Sequence, residues 1–484
     1  MPNYFAYFML LIWPIVTILL FKKLSVERAV IWSILGAYLI LPPVVGFDFP
    51  LLPPFGKESI PAITVFVVCV FMLGQKISFG FKSVTGRILI FLFILSPIGT
   101  VLTNGDPIVF EQGGLPGLRF REIFGLVVDQ FLLILPFFIA RQFLASEKAL
   151  RELLLAFVIA GLVYSIPMLI EVRLSPRINV WVYGFFQHNF GEMVRYGGFR
   201  PIVFLEHGIW VAFFAMMAVI AALALMRTNG EKNRPRFFFV AGYLGIVLML
   251  CKTLGAFLYA IALAPLILFT SPGIQVRIAL VLAVIALFYP FLRGAGFVPV
   301  EAMLEQAGRI DPERAGSLWA RFTNEEMLLE RARERPIFGW GSWGRNHLHN
   351  LIDGTILTVT DGRWIIVIGV YGWIGYIVEF GLLAMPIFTL LWASLKKDGV
   401  KLTPYASALA LILAINMIEL LPNATLMPLT WLIAGALLGY AEGWKGSEVS
   451  VEPKITTGRE PRRYARGGAN HVRLAAPKRL PTDS

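Results

Sequence analysis

The feature that most limits this chain is the recurrence of long apolar stretches, most of them sufficient to cross a hydrocarbon core of about 30 Å as a helix. They cover residues 4–21, 29–47, 60–74, 88–102, 123–140, 153–170, 202–226, 237–251, 253–269, 276–292, 364–392, 403–420 and 424–441. Inside lipid a backbone must satisfy its own hydrogen bonds, so these stretches are helices or barrel strands, and their length selects helices. The reading is an all-α, polytopic integral membrane helical bundle of thirteen transmembrane helices, or twelve if residues 237–269 form one overlong helix instead of two hinged at Lys252. Composition agrees: 57% of residues are hydrophobic and 15% charged, against about a quarter charged in soluble proteins. Cys69 and Cys251 both lie in apolar stretches, which excludes a disulfide framework or a cysteine zinc site.

A net charge of +12 would suit nucleic acid, but nine of the 43 lysines and arginines sit in the last forty residues. The rest follow membrane topology, so no nucleic-acid partner is expected. Cations gather in alternate connections: Lys22, Lys23 and Arg28; Lys76, Lys82 and Arg87; Arg141, Lys148 and Arg151; Arg227, Lys232, Arg234 and Arg236; Lys396, Lys397 and Lys401. Cytoplasmic loops carry that excess. The N-terminus is therefore expected outside and the C-terminus inside. Four parts result: residues 1–292 with ten helices, a long external loop over 293–363, three helices over 364–442, and a basic tail over 443–484. The tail has too little apolar content for a core and is expected to be disordered, near anionic headgroups.

The long loop holds nine arginines, no lysine and two of the five histidines. Asp311, Pro312 and Glu313 read as the start of a helix, and Pro336 ends it. Leu318, Trp319, Phe322, Leu328, Leu329 and Ala332 make one apolar stripe on it, with Arg321, Glu325, Glu330, Arg331 and Glu334 elsewhere, so the helix is amphipathic. The following segment, Pro336 to Asn350, alternates closely spaced glycines with aromatics. It reads either as a ligand-facing turn or as an interfacial aromatic loop.

Three stretches resemble the O-antigen ligase and polymerase superfamily, membrane glycosyltransferases acting on polyprenyl-diphosphate-linked saccharides. Leu318-Trp319 followed by Arg335-Pro336-Ile337-Phe338-Gly339-Trp340-Gly341 is similar to the family's tryptophan and proline-to-glycine stretch at the end of its large periplasmic loop. Gly372-Trp373-Ile374-Gly375 looks like its glycine pair within a membrane helix, and Arg195-Tyr196-Gly197-Gly198-Phe199-Arg200-Pro201 like its arginine-glycine-aromatic stretch before one. The resemblance covers residues 195–390. It implies a multi-pass protein of the bacterial inner membrane that transfers glycans on the periplasmic side without an obligatory metal or other cofactor. It departs from the ligase pattern twice: Asp361 holds the place of a histidine, and Cys251-Lys252 stands where Ser-Arg is common. Both departures favour the polymerase branch over ligation of glycan to a lipid core.

Such a transfer breaks a sugar C1 to diphosphate bond, so it needs cations for the leaving group and a base for the acceptor hydroxyl. Arg195, Arg200 and Lys252 are the diphosphate candidates, followed by Arg314, Arg321 and Arg345; each also reads as a snorkelling or solvated cation. Asp361 is the first candidate base, then His349 and His347. Glu206 and His207, at the outer end of an apolar stretch, fit an acceptor path or a buried pair joining helices. Glu379 and Glu419 read as interhelical hydrogen-bond formers. Expected partners are the lipid-linked saccharide, membrane lipids and other polysaccharide-assembly proteins. A transporter or flippase is the competing class; of its signatures, which are internal repeats, broken helices and midplane charges, the sequence offers only scattered intramembrane acids and no repeat.

Overall fold

The computed structural model describes residues 1–443 apart from 229, 231, 232, 311 and 398, and all their side chains except 310 and 312–314. The basic tail from residue 444, the Asp311 cap and the Arg314 side chain lie outside the described residues. Sixteen helices follow in order: α1 (Tyr4–Lys23), α2 (Val26–Ile40), α3 (Ser59–Val67, prolonged by a π-turn Val68–Met72), α4 (Val84–Thr103), α5 (Phe120–Phe143), α6 (Glu147–Leu174), α7 (Ile178–Tyr183), α8 (Gly208–Thr228), α9 (Arg234–Leu250), α10 (Leu254–Phe269), α11 (Pro272–Gly294), α12 (Val300–Ile310), α13 (Pro312–Arg333), α14 (Arg363–Ser394), α15 (Pro404–Glu419) and α16 (Pro428–Ala441). Each apolar stretch falls on one of them. Among the described residues seven helices are long and apolar enough to cross a membrane: α1, α4, α5, α6, α8, α11 and α14. The helices α3 with its π-turn, α10, α15 and α16 are apolar but shorter.

Among the described residues strands are confined to three antiparallel hairpins: β1 (Gly46–Phe47) with β2 (Phe55–Gly56), β3 (Ile108–Phe110) with β4 (Gly113–Leu115), and β5 (Val194–Arg195) with β6 (Gly198–Phe199). The centre of the bundle is α8, with 89% of its apolar window buried. Close packing elsewhere depends on small residues, as expected where lipid offers no hydrophobic drive between helices. A Cβ on Gly435 or Gly439 of α16 would strike the Phe137 or Arg141 carbonyl of α5.

Three features differ from, or decide between, the expectations of the sequence. Residues 237–269 form two helices, α9 and α10, with Lys252 at the hinge in the left-handed region (φ 53°). The helix expected from residue 202 begins only at Gly208. Ahead of it, the Glu171 carboxylate accepts the backbone N–H groups of Ile178, Ile202 and Val203 at 2.7–2.9 Å, and Gln187 donates to the carbonyls of Val203 and Leu205. Those side chains hold an apolar segment out of helix.

The third difference is a break in α14 at Gly372 (φ 68°, ψ −167°), a conformation open essentially to glycine alone. Arg363 and Glu379 are sixteen residues apart, which a straight helix would separate by about 24 Å. Their side chains meet in two hydrogen bonds of 2.7 Å, so the break folds the halves together. What fills the break is the segment Pro336–Gly341. Trp340 and Gly341 donate to the carbonyls of Gly369 and Val370, and Trp373 donates back to the Pro336 carbonyl. A Cβ on Gly339 would meet the Val370 backbone at 2.5 Å, and one on Gly372 would collide with the Ile337 carbonyl. The glycine-rich segment is thus a backbone-to-backbone wedge, which neither sequence reading of it anticipated. Asn104 and Thr100 of α4 cap the wedge by donating to the Gly339 and Phe338 carbonyls.

The amphipathic helix α13 is held against the same end of the bundle. Phe322, Leu328, Leu329 and Ala332 face inward as expected, but Trp319 is 60% exposed while Glu325 is buried. Glu325 faces Arg293 at the end of α11 at 3.8 Å, and burial pushes its carboxyl up to about 7. At the far end, Trp340 is sandwiched between the guanidinium groups of Arg331 (3.4 Å) and Arg335 (4.5 Å).

Candidate functional site

At the end of the bundle where α6, α9, α11 and α15 finish and α8, α10, α14 and α16 begin, three cavities adjoin through shared lining residues. The largest, of about 780 Å³, lies under α12 and α13 and is lined by Arg195, Arg200, Lys252, Arg321, Tyr259 and Glu419, among others. A junction cavity of about 430 Å³ shares Arg195, Ile209, Arg321 and Asn423 with it, and adds His188, Glu192, Glu206, His207 and Asp361. A third, of about 380 Å³, shares Val44 and Glu206 with the junction and adds Lys57, Glu58 and Asp129.

Among the described residues, four cations and one carboxylate line the first cavity. Arg195 and Arg200 come from the β5–β6 hairpin, whose turn places Tyr196 and Gly197 at φ 51° and 65°, the mirror-image turn that suits a two-residue hairpin. Lys252, at the α9–α10 hinge, donates to the Arg195 carbonyl at 3.0 Å and the Tyr196 carbonyl at 3.5 Å. A Cβ on Gly198 would occupy the Lys252 Nζ position. Arg200 is 2% exposed; its Nη2 donates to Thr253 Oγ1 at 2.9 Å, and its Nε has no protein partner. Burial, with Arg195 nearby, pulls its guanidinium down to about 10, still charged at neutral pH. A buried, incompletely satisfied arginine beside two further cations is the donor set an anion with several oxygens would complete.

In the junction, Arg321 of α13 meets Asp361 at 3.4 Å. His207 caps α8 by accepting the Ile209 N–H at Nδ1 (3.0 Å), which places the proton of the neutral ring on Nε2, 3.2 Å from Glu192 Oε2. Burial beside Arg200 and His188 pushes that imidazole down to about 4. His188, Glu192 and His207 bring one ligand atom each within 4.8 Å of one another, the donor types of a zinc site. In this tautomer Nε2 of His207 is a donor to Glu192 and offers no lone pair to a metal.

Other residues singled out by the sequence lie outside these cavities. Arg345 is buried and donates to the carbonyls of Trp340, Pro116 and Asp106, which locks the loop after the wedge. His347 contacts Thr358 through Nδ1, and His349 packs on Phe110 with ring centroids 5.2 Å apart. Burial lowers the pKa of both histidines. The structure therefore brings Arg195, Arg200, Lys252, Arg321, Asp361, Glu206 and His207 to adjoining cavities and leaves Arg345, His347 and His349 apart. Residues that sequence reasoning passed over are Glu58, Asp129, His188 and Glu192. Asp129 carried a signal, since an isolated carboxylate inside an apolar stretch needs a cavity or partner. Searches with the chain find no matching protein family and no matching curated protein.

Proposed function

We propose that this chain is a membrane glycosyltransferase that polymerises a saccharide carried on a polyprenyl diphosphate, working on the periplasmic face of a bacterial inner membrane. The observation that carries the reading is the cationic cavity, in which Arg195, Arg200, Lys252 and Arg321 face apolar side chains of Ile209, Leu254 and Leu318. A diphosphate head joined to a lipid asks for that combination. The motif resemblance over residues 195–390 supports the same class.

The chemistry follows from the charges. An acceptor hydroxyl oxygen attacks sugar C1 opposite the diphosphate, the C1–O bond breaks, and the diphosphate leaves with the bonding electrons. Arginine forks stabilise the charge that develops on those oxygens, most strongly where water is excluded, as around Arg200. Attack from the opposite side inverts the anomeric centre. Asp361, held by Arg321, orients a cation that borders both the donor cavity and the junction.

Gene deletion followed by analysis of surface and secreted polysaccharide tests this. The expected result is loss of polymer with a single repeat unit left on its lipid, rescued by the wild-type gene and not by Arg195→Ala or Arg200→Ala. A normal chain-length profile in the deletion strain would overturn the proposal. Polymer that forms but never joins its lipid acceptor would identify a ligase instead.

A further inference from the structure

The third cavity differs from the first in sign: Glu58, Asp129 and Glu206 share it with one lysine, Lys57. We infer that this cavity is the acceptor-sugar subsite and that Glu206, on the wall it shares with the junction, takes the proton of the acceptor hydroxyl. The inference rests on the glycosyltransferase reading above.

Four observations converge on it. Three carboxyls and one lysine offer a diphosphate none of the clustered cations of the first cavity, so the donor head is favoured on the cationic side. Carboxyl oxygens accept hydrogen bonds, which matches the many hydroxyl donors of a saccharide. The remaining walls come from Val44, Val45, Pro53, Pro54, Leu133 and Pro428, an apolar surface with little freedom, and about 380 Å³ lies within the range of small-molecule pockets. Glu206 is also the one charged side chain lining both this cavity and the junction.

The position of Glu206 is fixed from below. Lys57, 9% exposed, donates to the Phe204 carbonyl at 2.5 Å and lies 5.5 Å above the Tyr38 ring centroid. That anchor sits two residues before Glu206. Asp361 is already engaged by Arg321 at 3.4 Å, and it does not line the third cavity. The charged groups around Glu206 are Lys57, Glu58 and His188, and burial raises its carboxyl, the direction that makes a carboxylate a stronger base. In the reaction, the acceptor oxygen bonds to C1 as its proton passes to the Glu206 carboxylate. The polyprenyl diphosphate departs into the cationic cavity, and the proton is later released to solvent.

The test uses full-length protein in nanodiscs, with undecaprenyl diphosphate as the binding probe and the lipid-linked unit from deletion cells as the substrate. Glu206→Gln should lower turnover by about 100-fold or more, the scale of a lost general base, while carrier binding stays within about twofold. Glu206→Asp should restore part of the turnover. Asp361→Asn should cost less than about tenfold, as expected for a residue that orients a cation. Leu133→Phe, which narrows the anionic cavity, should raise the acceptor KM while carrier binding stays within about twofold. Carrier binding with undiminished Glu206→Gln turnover would overturn this inference alone. Failure of the wild type to bind the carrier would overturn the donor reading, and this inference with it.

Discussion

The two ends of the row of adjoining cavities are built from the same structural material and differ in their charged side chains. At one end Arg195, Arg200, Lys252 and Arg321 stand against Glu419; at the other Glu58, Asp129 and Glu206 stand against Lys57. Neither end neutralises itself, although like charges gathered among apolar helices are costly. Between them lies the junction, where an acid–base pair and a histidine–glutamate contact nearly balance. The difference teaches that the cavity sorts its occupants before it reacts them: an anionic donor is stable only at one end and a neutral, hydroxyl-rich acceptor is favoured at the other.

The largest expected effect comes from removing the most enclosed cation. Arg200→Ala should lower transfer by about 100-fold or more, the scale of losing one preorganised donor to developing charge. Undecaprenyl diphosphate binding should weaken with it, and the acceptor KM should stay constant, measured by initial rates in nanodiscs. Arg200→Lys keeps the charge and loses the fork, so it should recover only part of the loss. A change confined to the acceptor KM would break the division between the ends.

A pH profile sharpens the same division. A base works when deprotonated, so turnover should rise with pH through the Glu206 pKa. Burial raises that carboxyl, so the rise should lie above the ordinary glutamate value of about 4.3. His207, pushed down to about 4, stays neutral across that rise and does not produce it. In Glu206→Gln the residual rate should be flat over this window, whereas His207→Gln should retain the rise. The reverse pattern would move the base to the histidine.

The helices were legible because apolar stretches in lipid have one solution, and Lys252 marked the only charged point between α9 and α10. The two misread boundaries have a common cause. Ile202 to Leu205 are apolar enough for a helix, but their backbone groups are claimed by Glu171 and Gln187, sixteen to thirty-two residues away. Gly372 lies in an unbroken apolar run, and the wedge that opens α14 comes from residues 336–341, again distant in sequence. The cationic half of the site was readable as arginines beside the ends of apolar stretches. Of the anionic half only Glu206 was readable; Glu58 and Asp129 were not, because they come from α3's leading edge and the middle of α5, and only packing makes them neighbours of the approach to α8.

The smallest effect should come from Lys252, whose ammonium ties the α9–α10 hinge to the β5–β6 turn without being buried. Water can replace it at the exposed carbonyls of Arg195 and Tyr196, so Lys252→Met should cost only about 1 kcal/mol of hairpin order. The consequence should appear as roughly a fivefold loss in undecaprenyl diphosphate affinity, within what about 1 kcal/mol allows. Acceptor KM should not move. Lys252→Gly removes the same ammonium but relaxes the left-handed backbone at φ 53°, so it should match Lys252→Met in affinity and exceed it in thermal stability. If both variants instead weaken acceptor use and spare the carrier, the hinge serves the anionic end, and the sorting of donor and acceptor by charge fails.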